Sequence, residues 1–547
     1  MISGSGSAVR RAAAALAALA LTAGACTSAS QNERASDAES ASRLTIAVPE
    51  DVGPLNIFAS HEEPLTELVY DKLLAPSPYV DDPQPWLAAE VRQLDPSTWE
   101  VDLRDGVTWH DGESFTADDV VFTFDFFKAA PTGRWTHHVS DVPTVETVEA
   151  VDDDTVRFVC EDACPFFGSV TLADLPIVAE HVWSGVPADQ VREVTDLPVG
   201  TGPYRLVEYD PVTGYRFEAY DDYFGGPPVI RELIMPVIED PSTTFTALRT
   251  GEIDATSRPL APELIAEFSS SEDIELVTTQ PLQFPELRMN FERTPFDVPE
   301  FRRAISRAID RTEMLDTVFL GEGREADKGY PHPDSAWANP DLSTPTDVAE
   351  ARSILDELGY EDTDSDSVRE GPEGPLQFTI QVAATEPTDV RAAELIQQDL
   401  AQIGIAASVQ TRDAATIGGL FRSRDFDLYI NTITAHGAAD PTQFIMSHRS
   451  GYLWRAPDIP YPQWDALFEK WIEATTIADR AETLFEMQEL FNSQPTSVPL
   501  YYPDEHFAYR AGAFDGWVES PGYGIVHKWS LLAPQVGRDA NAVVAGG

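Results

Sequence analysis

The chain alternates stretches of period two with stretches of period near 3.6, and the switches fall at glycine, proline and acidic turns. Trp99, Val101 and Leu103 alternate with Glu100 and Asp102, which predicts a half-buried strand. Asp105-Gly106 supplies a turn, Val107 to His110 a second strand, and Asp111-Gly112 its end. Thr116 and Asp119 then stand at capping-box spacing before a helix whose Val120, Val121, Phe124 and Phe127 share a face until Pro131. Such a run builds a rigid module rather than a catalytic loop.

The same reading predicts a short strand over Leu44 to Val48, an amphipathic helical run over Leu65 to Leu74, and a strand pair over Thr147 to Cys160. Asp152-Asp153-Asp154 lies at the turn of that pair; without the rest of a calcium loop it reads as a solvated turn. From Met289 the pattern becomes regular α/β. Asp297 with Glu300 and Asp310 with Glu313 have capping-box spacing, and Gly321 closes the second helix. Asp347 opens a helix with Val348, Ala351, Leu355 and Leu358 on one face, and Gly359 ends it. Leu376 to Val382, the helix Thr388 to Ile403 and Ile405 to Gln410 form a strand, helix, strand unit long enough for a parallel crossover. Phe426 to Ile430 reads as a further strand. A helix from Trp464 onward includes Arg480 and buries Trp471, Phe485 and Phe491.

A length of 547 residues implies two or three cores. Asp plus Glu number 92 against 37 Lys plus Arg, a net charge of −55, which argues against nucleic acid or anionic lipid headgroups as partners. The charge reads first as a solubility adaptation, with an electrostatic trap for cationic ligands as the alternative.

Arg10 and Arg11 precede an apolar run, Ala12 to Leu21, too short to remain as a spanning anchor, so residues 1–25 read as a signal peptide. Leu21 to Cys26 is similar to a lipobox, with Ala23 where leucine is usual; lipidation of Cys26 is expected, and ordinary cleavage with Cys26 incidental is the alternative. Residues 26–43 are small and polar, as in a flexible tether. Cys160 and Cys164, a close pair in an exported chain, read as a local disulfide, since their spacing is not the usual zinc pattern. Gly200 and Gly202 are not a phosphate loop, because Arg205 stands where a third glycine is needed. His61-Glu62 lacks the second histidine of a zinc-protease helix. No Gly-x-Ser-x-Gly run is present and no cysteine is left as a nucleophile, so no catalytic residue, metal or cofactor is expected.

Leu103-Arg104-x-Gly106-Val107-x-Trp109-His110-Asp111-Gly112, followed by Phe115-Thr116-Ala117-x-Asp119-Val120, resembles the signature block of the peptide- and nickel-type solute-binding proteins that feed ABC importers. Val199 to Tyr204, Tyr220 to Gly226 and Ala247 to Asp254 resemble further blocks of that family in the right order. The resemblance implies an α/β fold of the periplasmic-binding-protein type II class, its large variety with an extra subdomain. Two lobes then hinge about a cleft. It implies a first lobe of 44–80, 198–283 and 500–540, the extra subdomain at 81–197 and a second lobe at 284–499, with hinges near Leu282 to Asn290 and Ser497 to Tyr502.

By the same resemblance the loop holding Phe58, Ser60 and His61 lines the cleft through main-chain groups. Trp135 is the candidate from the subdomain, and Glu386, Thr434, His436 and Trp454 are those from the second lobe. Tyr501 and Tyr502, taken as lying in or beside loops, join Trp454 as aromatic walls. The aspartate that holds the amino group in dipeptide and oligopeptide binders is replaced by Gly437, a few residues before Asp440. Where the dipeptide type has a carboxylate-binding arginine, Thr385 and Glu386 stand instead. A free dipeptide is therefore disfavoured; longer peptides held by their backbone, a sugar, a nickel chelate or a cationic small molecule stay open. The expected partners are a small solute, a peptide first, and ABC permease transmembrane subunits. The protein is expected to be a monomer on the outer face of the cytoplasmic membrane, touching it only through the lipid. A ligand-sensing lipoprotein of the same fold and a secreted hydrolase are the competing readings.

Overall fold

A computed structural model describes residues 43–532 apart from 60–62, 78–79, 132, 134, 141–142, 281–282, 336, 435–440, 452–459, 475–476 and 520–523. Two sheets organise these residues. The first has seven strands in the order Ile274–Thr279, Glu505–Arg510, Ala255–Thr256, Arg43–Ala47, Glu232–Met235, Gly214–Ala219 and Tyr204–Asp210. The second has five, in the order Ala406–Arg412, Gln377–Ala383, Leu428–Thr434, Gln283–Met289 and Ser497–Pro499.

A four-stranded antiparallel sheet, in the order Ala88–Asp95, Thr98–Leu103, Thr155–Cys160 and Val145–Asp152, shares one hydrophobic core with the seven-stranded sheet. The Asp154 N–H donates to Asp152 Oδ1 at 3.1 Å, closing the acidic turn on itself. Cys160 and Cys164 are joined by a disulfide across a Cα–Cα distance of 6.4 Å. Helix Ala117–Ala129 opens on the expected box, the Thr116 N–H donating to Asp119 Oδ2 at 3.0 Å, and buries Val120, Phe124 and Phe127 while Val121 stays half-buried.

Val107 to His110 does not form a strand; a lone bridge between Thr108 and Ser114 replaces it. The backbone there is used otherwise. The Trp109 N–H donates to the Glu113 carbonyl and the His110 N–H to that of Gly200, each within 3 Å. The His110 ring continues this link, Nδ1 accepting from the Gly200 N–H at 3.3 Å and Nε2–H donating to the Gly202 carbonyl at 2.9 Å. Gly200 and Gly202 are glycines because a Cβ on them would stand 1.9 Å from the Val69 carbonyl oxygen and 2.6 Å from that of Leu68. The two motif-dense blocks of the sequence thus lock each other. Leu65 to Leu74 is helical only over Glu63–Thr66, yet Leu65, Leu68, Val69 and Leu73 are all buried, because this backbone is wrapped against the glycines rather than coiled.

In the second sheet Gln377–Ala383 and Ala406–Arg412 pair in parallel over seven residues across helix Pro387–Gln402. Leu287, Ile380, Val382, Leu428 and Val498 turn one sheet face to that helix and to Pro299–Ala308 and Val348–Glu357. Asp310 and Asp347 cap their helices, accepting the N–H of Glu313 at 2.9 Å and of Glu350 at 2.8 Å. Asp297 does not: that helix starts at Pro299, whose preset φ and missing N–H suit a first turn without a side-chain cap. Helix Arg311–Phe319 ends on Leu320 in the left-handed region, φ 56°, with Gly321 following at φ 84°. The single helix expected after Trp464 is two, Pro462–Glu473 and Ile477–Ser493, burying Trp464, Trp471 and Phe491 and leaving Phe485 half-buried. Tyr501–Pro503 pairs with Gly323–Glu325, so the chain returns to the first sheet after Pro503 rather than at Leu500. Among the described residues no helix is long and apolar enough to cross a membrane.

Candidate functional site

Strand direction locates the site. In the first sheet Arg43–Ala47, Ala255–Thr256 and Ile274–Thr279 run the same way, so their carboxyl ends share an edge with Glu505, the start of the strand antiparallel to them. In the second sheet Ala383, Arg412, Thr434 and Pro499 end their strands at the edge where Gln283 begins. The chain leaves the first sheet at Thr279, joins the second at Gln283, and returns from Pro503 to Glu505. Both crossings therefore join carboxyl edge to carboxyl edge, so the strand carboxyl ends of the two sheets and the loops after them border the same junction. Open α/β sheets bind ligands in such a place.

Glu386 lies on this edge, three residues beyond Ala383 and N-capping helix Pro387–Gln402. It is exposed, yet the protein around it displaces enough water to raise its carboxyl pKa. Asp389, in the first turn of that helix, is buried and pushed up to about 6 by desolvation and then by the Glu386 charge, opposed by a 3.4 Å hydrogen bond donated by the Tyr501 hydroxyl. At the carboxyl edge of the first sheet burial pushes Glu505 up to about 7. Glu505 lies within the 500–540 segment expected for the first lobe but is not among the residues the sequence singles out. The Pro503-Asp504 pair ahead of the apolar run Phe507 to Tyr509 was the available signal.

Thr434 ends its strand opposite Gln283 in register, which places its backbone at the edge. Ser60, His61, His436, Gly437, Asp440, Trp454 and Cys26 lie outside the described residues, as does the side chain of Thr434.

Four aromatic candidates are buried in packed cores. Phe58 packs its ring on Phe126, Phe127 and Trp183, with the Phe127 centroid at 4.7 Å. Its main-chain groups are engaged as well, the N–H by Asn56 Oδ1 at 2.9 Å and the carbonyl by Arg192 Nε at 3.3 Å, so Phe58 braces the loop that carries Ser60. Trp135 is buried in the core shared by the seven- and four-stranded sheets. Tyr501 and Tyr502 belong to a strand and not to a loop, each 1% exposed, with rings against Phe319 and Phe284. They end a continuously buried apolar run from Val498, which places both rings in the interior.

A cavity of about 40 Å³ lies against the other face of the five-stranded sheet, bounded by Phe284, Glu286, Arg288, Tyr330, Phe444 and His448. That volume holds a few waters and no more. Glu286 is paired with Arg288 and accepts the Ser497 hydroxyl. His448 Nδ1–H donates to the Phe444 carbonyl at 2.8 Å and Nε2 accepts from Thr496 at 3.0 Å. These groups satisfy one another and offer no poised base. His110, the histidine a hydrolase reading would use, has both ring nitrogens on main-chain groups and is pushed down to about 4 by burial.

The sequence profile of the bacterial extracellular solute-binding proteins, family 5 middle region, matches residues 82–453. The chain belongs to this family. It is 25% identical over 441 residues to the oligopeptide-binding protein AppA of Bacillus subtilis, covering 77% of this chain and 78% of that one. It is 26% identical over 424 residues to the nickel-binding periplasmic protein of Escherichia coli, covering 74% and 78%. The structure of AppA with a nonapeptide superposes with a TM-score of 0.75 at 21% identity, over 90% of this chain and 99% of AppA. A mannohexaose-bound oligopeptide-binding protein of Thermotoga maritima does so at 0.72 and 22%, over 91% and 98%. The fold is thus the expected periplasmic-binding type. These family 5 relatives are extracytoplasmic solute-binding proteins of ABC importers and not enzymes, and this chain is a substrate-binding protein of the same kind.

Proposed function

We propose that this family 5 protein is exported, tethered to the outer face of the cytoplasmic membrane through a lipidated Cys26, and captures a peptide longer than a dipeptide. Closure of a first lobe (44–80, 198–283 and the C-terminal strand), with its subdomain at 81–197, on a second lobe from 284 onward encloses the peptide for delivery to permease transmembrane subunits. The supporting observation is the paired carboxyl edges: a cleft opening between them is walled by main-chain termini and loops and suits a ligand held largely through its backbone. Ser60, His61, Thr434, His436 and Trp454 are the proposed contacts, together with Glu386, three residues beyond the end of its strand. Glu386 stands where dipeptide binders carry a carboxylate-binding arginine, which favours ligands without a free carboxylate at that end.

A non-peptide solute is the second reading, favoured by the mannohexaose held by one structural neighbour and the nickel bound by one relative. Mass spectrometry of what co-purifies with residues 27–547, followed by thermal-shift screening, separates the two. A ligand at about 100 times its dissociation constant adds roughly 2.7 kcal/mol of stability. Peptide libraries that leave the melting temperature unmoved while hexasaccharides or nickel chelates raise it would discard the peptide reading.

A further inference from the structure

The stretch from Cys160 to Leu172 is divided between two cores. Phe167 and Leu172 are buried in the core of the four- and seven-stranded sheets. Phe166 and Val170, each 5% exposed, are buried instead in a cluster with Phe444, Tyr461, Trp464 and Trp471. Among the described residues of that cluster these two alone precede residue 283; every other member belongs to the part of the chain that builds or covers the five-stranded sheet. Phe166 stacks on Trp471 at 5.5 Å between centroids and 28° between planes.

The turn that presents Phe166 is fastened to its own side. The disulfide closes it, the Cys164 N–H donates to the Pro96 carbonyl at 2.9 Å, and Trp99 Nε1–H donates to the Cys164 carbonyl at 3.2 Å. Gly168 lies so close to the Trp99 ring that a Cβ there would meet it at 3.3 Å. Phe167 fills the space behind, with its ring 5.2 Å from that of Phe158. A turn held this firmly keeps Phe166 projecting whether or not its partner is present, so docking orders little and buries an entire ring.

We propose that Phe166 and Val170 form a latch: an apolar clasp from the subdomain of the first lobe into the second, made when the lobes are closed and broken when they part. It rests on the two-lobe closure of the proposed function but not on the identity of the solute. The clasp stabilises the closed form without touching ligand, and the fraction of closed protein scales every ligand's apparent affinity. Opening the lobes withdraws Phe166 and exposes it together with Trp471.

The test is small-angle X-ray scattering of the ligand-free protein, wild type against Phe166→Ala, with Phe166→Leu as the conservative variant and circular dichroism to establish that all three are folded. Loss of one buried aromatic ring should lower the closing equilibrium constant about tenfold or more. The expected result is a larger radius of gyration for Phe166→Ala, recovery of most of the compaction by Phe166→Leu, and a weaker apparent affinity of Phe166→Ala for whichever member of a short-peptide library shifts the wild type. Superimposable scattering curves for folded Phe166→Ala and wild type overturn the latch, even if peptides bind. Opening by Phe166→Ala in a protein that ignores every peptide keeps the latch and removes the peptide reading.

Discussion

The Lys528 ammonium lies 2.6 Å from Asp71 Oδ1, with both side chains almost fully buried and the two residues 457 positions apart in the chain. The same carboxylate accepts from Trp86 Nε1 at 2.7 Å and from the Tyr223 and Thr201 hydroxyls at 3.3 Å. The last helical turn among the described residues, Lys528–Leu531, is thereby pinned against Asp71. Removing one partner strands a charge in a dry site, and Asp71→Ala should cost about 3–5 kcal/mol in urea unfolding. The double variant Asp71→Leu with Lys528→Met should recover much of that loss, since two apolar residues leave no uncompensated charge between them. A double variant no more stable than the single one would show that the loss comes from packing.

His110 predicts a pH dependence of determinate sign. Burial lowers its pKa from 6.5 to about 4, so between those values the unfolded chain binds more protons than the native one. Stability must fall as pH drops from 6.5 toward 4, by up to about 3 kcal/mol from this residue. His527, pushed down to about 4 as well, adds a slope of the same sign. Subtracting the unfolding profile of His110→Gln from that of the wild type isolates the His110 share. A flat difference across that window would contradict the buried neutral ring.

Glu505 acts in the opposite sense. Its folded pKa of about 7 lies above the ordinary value of 4.5, so the native state holds the extra proton and stability is lost as pH rises through that interval. Glu505→Gln should therefore stabilise the protein at pH 8 and be nearly neutral at pH 4, as read by melting temperature at the two pH values.

At Gly200, alanine places a methyl group inside the contact radius of the Val69 carbonyl oxygen. Because backbone is the obstacle, relief requires separating the two motif blocks, and Gly200→Ala should cost more than about 3 kcal/mol. Gly185→Ala, with nothing within 4 Å of its new carbon, is the matched control.

Elements whose cause is local were legible in the sequence. Asp310 and Asp347 each reach an N–H three residues ahead, and the parallel unit around Pro387–Gln402 follows from a sixteen-residue helix between two β-branched runs. Errors arose where partners are remote. Val107 to His110 alternates like a strand, but Gly200, some ninety residues later, takes its hydrogen bonds. Leu65 to Leu74 has helical spacing because its side chains enter a core from a wrapped backbone. Among the site candidates, Glu386 and Thr434 lie at or just beyond strand ends, which are readable from local pattern. Phe58, Trp135, Tyr501 and Tyr502 could not, because an aromatic ring beside a loop has the same composition whether it fills a core or lines a groove.

Thr279 and Glu505 are register partners, so the two links between the large bodies emerge side by side from a single rung of the first sheet. In the closure proposed above, two straps so close together resist sliding and permit swing about a line drawn through them. Displacement then grows in proportion to distance from that line. Groups beside the straps, Glu505 among them, hold nearly still through a cycle, while the remote rim travels farthest.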